Sequence, residues 1–250
     1  MQVSLDLHIH SDYSSDGILQ LEEIVAGCRA AGLQGCAVCD HERVLTDKVD
    51  LPDDFLLIPG VEIATQYGHL LGLFVTQPIA TTDFEQAARA IHAQGGLTIM
   101  AHPYAHNIPD ADLEPTLPLL DGLEVWNSRV EWKNRRANKQ AAAFARKHRL
   151  FPHAGSDSHV YEELGAGRIT VEVEQLTAEA VKAALLAGTG KIQGQRTRAW
   201  CIARSQYTKR KKLQVHFGYY VQWFIFAVKC ALQDLIYRGG TYHVPDRESR

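Results

Sequence analysis

Two histidines stand two positions apart in residues 5–10, a segment that alternates apolar and polar side chains. In an extended strand, successive side chains point to opposite faces, so His8 and His10 would share one face with Asp6. A single buried histidine is usually a hydrogen-bonded core residue, but a pair on one face can bind zinc, manganese or iron. The spacing therefore indicates a metal site, with a structural histidine pair as the alternative.

Further acidic and histidine side chains follow the ends of other apolar segments. They are Asp16, beside the turn residue Gly17, and Asp40, His41, Glu62, His102, Asp157 and His159. Asp157 and His159 again lie two positions apart, on one side of an extended segment. Because ligands gather at the carboxyl ends of strands in α/β folds, we predict that these residues meet at one rim and hold cations.

His69 requires a separate argument. Residues 66–68 form a plausible short hairpin turn, which would bring His69 next to Glu62 on the neighbouring strand. A histidine at the edge of a hairpin with no ligand role is the alternative, and both interpretations stay open.

Short apolar runs alternate with helix-like stretches over the first 190 residues, which is typical of an α/β fold with parallel strands. The predicted strands are 3–10, 35–41, 55–63, 69–75, 97–102, 122–127 and 153–157. The predicted helices are 20–31, 83–94, 131–148 and 177–187, the last with Thr177 as its N-cap. These seven strands could close into a barrel or form an open sheet.

Taken together, these residues resemble the PHP (polymerase and histidinol phosphatase) family. Residues 6–11 with 15–17 look like its first motif, 39–41 its second, 60–63 its third, 101–103 the next and 155–159 the last. Cys39 replaces the usual threonine at a position that is not a ligand. The resemblance covers about residues 3–190 and implies a distorted (β/α)7 barrel with a two- or three-metal centre of zinc, manganese or iron.

The resemblance also implies a ligand set. His8, His10, Glu62 and Asp157 would hold one metal, and Asp16, His41 and His159 a second. Glu62 would bridge to a third metal, completed by His102 and His69. Asp40 would orient a ligand without binding metal. Some relatives have histidine at the position of Asp16. The small phosphoesterases that act on nucleotides have aspartate there, as this chain does.

Phosphate ester hydrolysis is the chemistry that such a centre suits. Neighbouring metals lower the pKa of a bound water and stabilise the attacking and leaving oxygens. We predict catalytic roles for Glu62, His41 and Asp157, with His41 or His159 as the candidate proton donor. Arg129, Asn127 and Arg168 are the predicted substrate-binding residues; the arginines could instead be solvated surface residues, and Asn127 could cap a helix.

Three functions remain in competition. A phosphomonoesterase acting on a nucleotide or another small phosphorylated metabolite is preferred, with an exonuclease or phosphodiesterase on short nucleic acids as the alternative. A module with a structural metal site that binds a membrane or a partner is the third. The sequence has no Gly-x-x-x-x-Gly-Lys loop and no Gly-x-Ser-x-Gly elbow, which argues against a P-loop nucleotidase and a serine hydrolase.

Charge divides the chain unevenly. Residues 191–250 hold 12 of the 26 Lys and Arg residues but 3 of the 29 Asp and Glu residues. This stretch therefore has a charge of +9, although the whole chain has a net charge of −3. We therefore predict a phosphoesterase domain over 1–190 and a basic, aromatic extension over 191–250 with a separate role. Its apolar run, 217–228, is too short to span a membrane.

The extension allows three interpretations. It could cover an apolar face or a homo-oligomer interface, lie on a membrane surface, or bind nucleic acid, and its contacts would run through 196–245. We expect its removal to change assembly or solubility more than chemistry. The five cysteines show no disulfide spacing and no signal peptide is evident, which predicts a cytoplasmic protein.

Overall fold

The computed structural model describes residues 1–47, 49–106, 108–237 and 241–243. Its described residues contain ten strands in one sheet. The strands are β1 (Gln2–Ile9), β2 (Gly35–Val38), β3 (Leu56–Thr65), β4 (Gly68–Leu73), β5 (Leu97–Met100), β6 (Gly122–Asn127), β7 (Phe151–Gly155), β8 (Gly167–Glu172), β9 (Lys191–Gln195) and β10 (Thr241–His243). Every predicted strand is present, and β8, β9 and β10 are additional.

The sheet runs in the order β10-β9-β8-β1-β2-β3-β4-β5-β6-β7 and almost closes on itself. Residues just after β7 return to the end of β1: Asp157 N donates to His8 O, and His10 N to Ser158 O, both at 2.8 Å. At its other end β1 pairs with β8, which keeps the closure partial. The sheet thus confirms the predicted α/β fold and its barrel form.

Among the described residues, however, the sheet is not built from seven successive βα units. β4 runs antiparallel to both β3 and β5, because a hairpin turn rather than a helix connects β3 to β4. Gly68, at φ 109°, supplies the left-handed backbone that this turn requires. The hairpin pairs Ala64 with His69 and so brings the start of β4 beside the carboxyl half of β3.

Helices cover the outside of the sheet and form most of the extension. They are α1 (Leu21–Ala30), α2 (Phe84–Ala93), α3 (Asp110–Leu113), α4 (Ser128–Lys133), α5 (Arg135–His148), α6 (Ala178–Ala187), α7 (Ala199–Lys212) and α8 (Gly218–Ile236). Helices α1, α2 and α6 match the prediction to within one residue at each end. Thr177 caps α6 through its side chain, as predicted.

The predicted helix 131–148 is wrong at its beginning. Asn134 adopts extended backbone angles between α4 and α5, and its side chain accepts a hydrogen bond from Arg136 N. Capping of this kind favours the start of a new helix. The chain therefore bends between α4 and α5, and α4 begins directly at the carboxyl end of β6.

The extension packs on the barrel as a helical pair. Asp234 of α8 accepts hydrogen bonds from Ala199 N and Trp200 N, both at 2.9 Å, at the start of α7. Trp223 Nε1 donates to Ala203 O at 2.7 Å. Before these helices, β9 pairs with β8, so the predicted division at 190/191 falls next to a strand of the main sheet. None of the helices that the structure describes is long and apolar enough to cross a bilayer.

Candidate metal centre

Glu62, at the carboxyl half of β3, lies at the centre of a group of five imidazoles. Its Oε1 is 2.7 Å from His69 Nδ1, 3.1 Å from His102 Nε2 and 3.7 Å from His8 Nε2. Its Oε2 is 3.0 Å from His41 Nδ1 and 3.3 Å from His10 Nε2. The carboxylate is 1% exposed, so protein side chains rather than water surround both oxygens.

Asp157 lies on the other side of the histidine pair. Its Oδ1 is 3.3 Å from His10 Nε2 and 3.9 Å from His8 Nε2. The same oxygen is 3.6 Å from His159 Nδ1. His10 therefore lies between two carboxylates, one from β3 and one from the segment after β7.

Asp16 completes the set from the loop after β1. Its Oδ1 is 3.3 Å from His159 Nε2 and 3.7 Å from His41 Nε2. Among the described residues, this buried oxygen has no hydrogen-bond partner. A buried carboxylate oxygen that faces two imidazole nitrogens without a hydrogen bond is the arrangement that a cation satisfies.

All nine predicted metal ligands thus converge at one rim of the barrel. Three groups have ligand atoms within 4.8 Å of one another: His8, His10 and Asp157; His10, His41 and His159; and His8, Glu62 and His102. Mixed imidazole and carboxylate ligands suit zinc, manganese or iron better than magnesium or calcium. The donor set fits divalent metals, and the division of ligands among them stays a prediction.

His69 lies next to Glu62, as the predicted hairpin required, and its role as a ligand stays a prediction. The hairpin from β3 to β4 places its ring against Glu62, and 32% of its side chain remains exposed. The same fraction of His41 is exposed. The centre is therefore reached from solvent on the side of these two residues.

The charge state of the centre follows from its burial and its neighbours. Burial, together with the nearby charge of His159, lowers the pKa of His10 to about 4, which leaves the ring neutral and able to bind metal. Burial alone raises a carboxyl pKa, but His8 and hydrogen bonds from other histidines hold the pKa of Glu62 well below its usual range. Glu62 is therefore negatively charged at neutral pH.

The pH dependence of metal binding should follow the remaining histidines. Burial alone lowers an imidazole pKa, but nearby carboxylates, Glu62 among them, raise the pKa of His8, His41 and His102. These rings retain protons that must leave before metal binds, so affinity should fall as the pH drops through their raised pKa values, with proton release on binding. Calorimetry in buffers of different ionisation enthalpy measures both, and a pH-independent affinity without proton release would contradict the prediction.

Backbone strain accompanies two of the ligands. His102 has φ 29° and Asp157 has φ 57°, in the region that favours glycine. Such conformations cost about 1–3 kcal/mol each and persist where surrounding contacts fix them. Here, His102 N donates to Glu124 Oε2 and Asp157 N to His8 O. Both of these predicted ligands, His102 and Asp157, are thus positioned by backbone as well as side-chain contacts.

Glu124, in the middle of β6, is a buried residue of the candidate site that was not predicted from the sequence. Its Oε1 is 2.9 Å from His8 Nδ1, and its Oε2 accepts from Asn127 Nδ2 at 3.0 Å. A carboxylate on the second nitrogen of a ligand histidine fixes the tautomer and orientation of the ring. An acid within the apolar run Gly122–Asn127 was the available signal.

Substitution of Glu124 by glutamine should weaken metal binding. The amide keeps the shape of the side chain but removes the charge that His8 Nδ1 contacts, and losses at such positions are about 10- to 100-fold. Titration with manganese, followed by metal analysis, measures the effect. Asp121→Asn, which alters a carboxylate paired with His92 away from the centre, is the control, and equal affinities in the wild type and Glu124→Gln would disprove the role.

Asp40 occupies the orienting position that the family resemblance implied. Its carboxylate accepts hydrogen bonds from Ser11 N at 2.8 Å and from Ser14 Oγ at 2.6 Å. Ser14 Oγ in turn lies 3.1 Å from His10 Nδ1. Asp40 therefore acts on His10 through a serine and contacts no predicted ligand side chain directly.

The predicted substrate-binding residues lie in different environments. Asn127 donates to Asp157 Oδ2 at 3.2 Å, and its Oδ1 accepts from Arg129 N and Val130 N, so it both contacts the centre and caps α4. Arg129 makes a bidentate ion pair with Glu163, at 2.9 and 2.8 Å. Arg168 donates to the carbonyl oxygens of Gly165 and Ala31. Both guanidinium groups are thus bound by the protein itself.

Lys209, on α7, reaches the centre although it lies in the extension. Its Nζ is 3.3 Å from Asp16 Oδ2. The extension thus contacts a predicted ligand, and the expectation that its removal changes assembly or solubility more than chemistry stays a prediction. Basic residues clustered at the end of α7 were visible in the sequence, but no local pattern showed that this helix returns to the loop after β1.

Comparison with known proteins gives a family model and several relatives. A model described as PHP-associated matches residues 135–189. Two uncharacterized proteins of Methanocaldococcus jannaschii are similar in sequence. One is 29% identical over 171 residues, covering 65% of this chain and 68% of that protein. The other is 30% identical over 145 residues, covering 49% and 81%.

Solved structures share the fold. A two-domain protein from Bacteroides vulgatus, described as containing a predicted PHP-like metal-dependent phosphoesterase, has a TM-score of 0.61 at 18% identity, with 83% of this chain and 70% of that chain covered. A lesion-specific endonuclease from Pyrococcus furiosus has a TM-score of 0.55 at 19% identity, with 77% and 58% covered. At these identities, the two structures support the architecture of the barrel.

Proposed function

Because this chain belongs to the PHP family, we propose that it is a metal-dependent phosphoesterase that hydrolyses a small phosphomonoester, such as a nucleotide. One observation carries the proposal: both oxygens of the buried Glu62 carboxylate contact imidazoles, from five histidines in all. A carboxylate shared in this way is what a centre of two or three adjacent cations requires.

The residues of the rim would have different roles in the reaction. Divalent zinc, manganese or iron bound there would lower the pKa of a coordinated water and offset charge on phosphoryl oxygens. Glu62 and Asp157 supply negative charge on either side of His10. Asn127 holds Asp157 by a hydrogen bond, and His41 lies at the solvent side, where substrate would enter. We assign catalytic roles to Glu62, His41 and Asp157.

Cleavage of short nucleic acids is the second candidate. The observation that favours it is the basic end of α7, whose Lys209 lies beside the loop of Asp16 with 41% of its side chain exposed. Positive side chains at the rim would bind the further phosphates of an oligonucleotide. A purely structural metal site is a weaker candidate, because a closed site would not leave His41 and His69 exposed.

A phosphate-release screen tests the proposal. The full chain is supplied with manganese or zinc and offered nucleotides, sugar phosphates, histidinol phosphate and short oligonucleotides. We expect release from a monoester, and two or three metal equivalents in active protein. Protein that binds the metals but releases nothing from any substrate would refute the function, and cleavage confined to oligonucleotides would favour the second candidate.

A cytoplasmic location remains part of the proposal. All five cysteines are buried and free, which fits a reducing compartment. Contacts with a second copy of the chain or with a membrane surface, through 196–245, also remain proposals. Their support is the outer face of α8, where Phe224 and Leu235 are exposed.

A further inference from the structure

The basic end of α7 is attached to the loop that carries Asp16. Lys212 Nζ donates to the carbonyl oxygens of Asp12, Ser14 and Gly17, at 2.6, 2.8 and 2.8 Å. An ammonium group has three donors, so these contacts use all of them. Lys212 therefore anchors the helix, and one turn earlier Lys209 is held at the rim of the metal centre.

Lys209 is positioned differently from Lys212. It makes one hydrogen bond among the described residues, to Asp16 Oδ2, and 41% of its side chain is exposed. Two of its three donors are therefore available to a ligand. Asp16 Oδ1 faces His41 and His159, while Oδ2 faces Lys209, so the ammonium group contacts one predicted ligand directly and lies one carboxylate away from two others.

The two arginines predicted to bind phosphate are each held by other groups of the protein. The Arg129 side chain is 12% exposed and its guanidinium forms a bidentate pair with Glu163. All three nitrogens of the Arg168 guanidinium donate to backbone carbonyl oxygens. Rotation of either guanidinium away from these partners would break part-buried hydrogen bonds. Lys209 requires no such rearrangement.

We propose that Lys209 binds the phosphoryl group of the substrate, through a non-bridging oxygen of a phosphate monoester dianion. Lysine binds phosphate as a point charge with rotatable donors, which suits a group that approaches from solvent. The α7–α8 pair, anchored by Lys212 and by the contact of Asp234 with the start of α7, would then form one wall of the substrate site. This inference rests on the proposed function for the identity of the ligand.

Inorganic phosphate is the probe that tests Lys209 apart from turnover. Calorimetric titration of the full chain at saturating manganese compares the wild type with Lys209→Ala, Lys209→Arg and Lys211→Ala. We expect Lys209→Ala to weaken phosphate binding about 10- to 100-fold. Lys209→Arg should recover part of the affinity, and Lys211→Ala, an exposed lysine two positions along the same helix, should bind like the wild type.

The outcomes separate the two proposals. Equal affinity of the wild type and Lys209→Ala, or equal loss in Lys209→Ala and Lys211→Ala, would overturn the role of Lys209. Absence of phosphate binding by the metal-loaded wild type would overturn it as well. In an active enzyme, the alanine variant should also raise KM more than it lowers kcat. Failure of the substrate screen alone would refute the esterase function but not the binding of phosphate by Lys209.

Discussion

Substitution of Glu62 by glutamine is expected to abolish phosphoester hydrolysis while the barrel remains folded. The amide keeps the size of the side chain but removes the negative charge that lies between the histidines of β1, the loop after β2, β4 and the segment after β5. With this charge lost, adjacent cations would no longer share a ligand. We expect turnover to fall about a thousandfold or more, which corresponds to about 4 kcal/mol.

Three measurements check this prediction. Turnover of an aryl phosphate gives the activity, metal analysis gives the equivalents retained, and circular dichroism gives the folded state. Glu85→Gln makes the same chemical change in an exposed ion pair with Arg89 on α2 and should leave activity unchanged. Glu62→Gln with the turnover of the wild type would disprove the bridging role.

Substitution of Gly155 by alanine should have a large effect on both stability and metal binding. Gly155 ends β7 where the barrel closes, and a Cβ there would overlap the Cβ of His8 and lie 2.9 Å from its backbone nitrogen. Overpacking of a buried site costs about 1–3 kcal/mol, and here the displaced residue is a predicted ligand. We therefore expect a lower free energy of unfolding together with loss of metal.

Chemical denaturation and metal analysis measure the two effects. Gly218→Ala is the matched control, because the nearest atom to its added Cβ would be His216 Nδ1, at 3.6 Å. Alanine in that helical position should change stability by less than about 1 kcal/mol. A Gly155→Ala protein as stable and as metal-loaded as the control would show that β1 and β7 can separate without consequence.

Much of the barrel could be predicted because its strands are apolar and its helices are periodic. The limits of α1, α2 and α6 agree with the prediction to one residue. Strand β8 was missed because residues 167–172 come after the last predicted ligand and carry the polar residues Arg168, Thr170 and Glu172 on one face. The break at Asn134 was missed because helical residues stand on both sides of it, and the cap depends on backbone angles.

Most of the predicted ligands converge because they stand near or after the carboxyl end of a strand, where topology brings distant residues together, and the hairpin brings His69 there from the start of β4. Glu124 lies within a strand instead, so its contact with His8 depends on which face of β6 points inward. The environments of Arg129 and Arg168 could not be predicted, since Glu163 and the Gly165 carbonyl are brought to them by tertiary packing. The sequence shows that an arginine is present at each position but does not show which group its guanidinium contacts.

The contact between Asp234 and the first turn of α7 links α8 to the helix that carries Lys209. Asp234 lies 35 positions after Ala199, and its carboxylate accepts hydrogen bonds from the first two residues of α7, while Lys209 of the same helix contacts Asp16. A stop codon, a protease cut or a bulky fusion at α8 would remove this contact and, under the proposal for Lys209, would disturb the binding of phosphate. Expression of this protein for assay should therefore extend beyond residue 234, even though all nine predicted ligands precede residue 160.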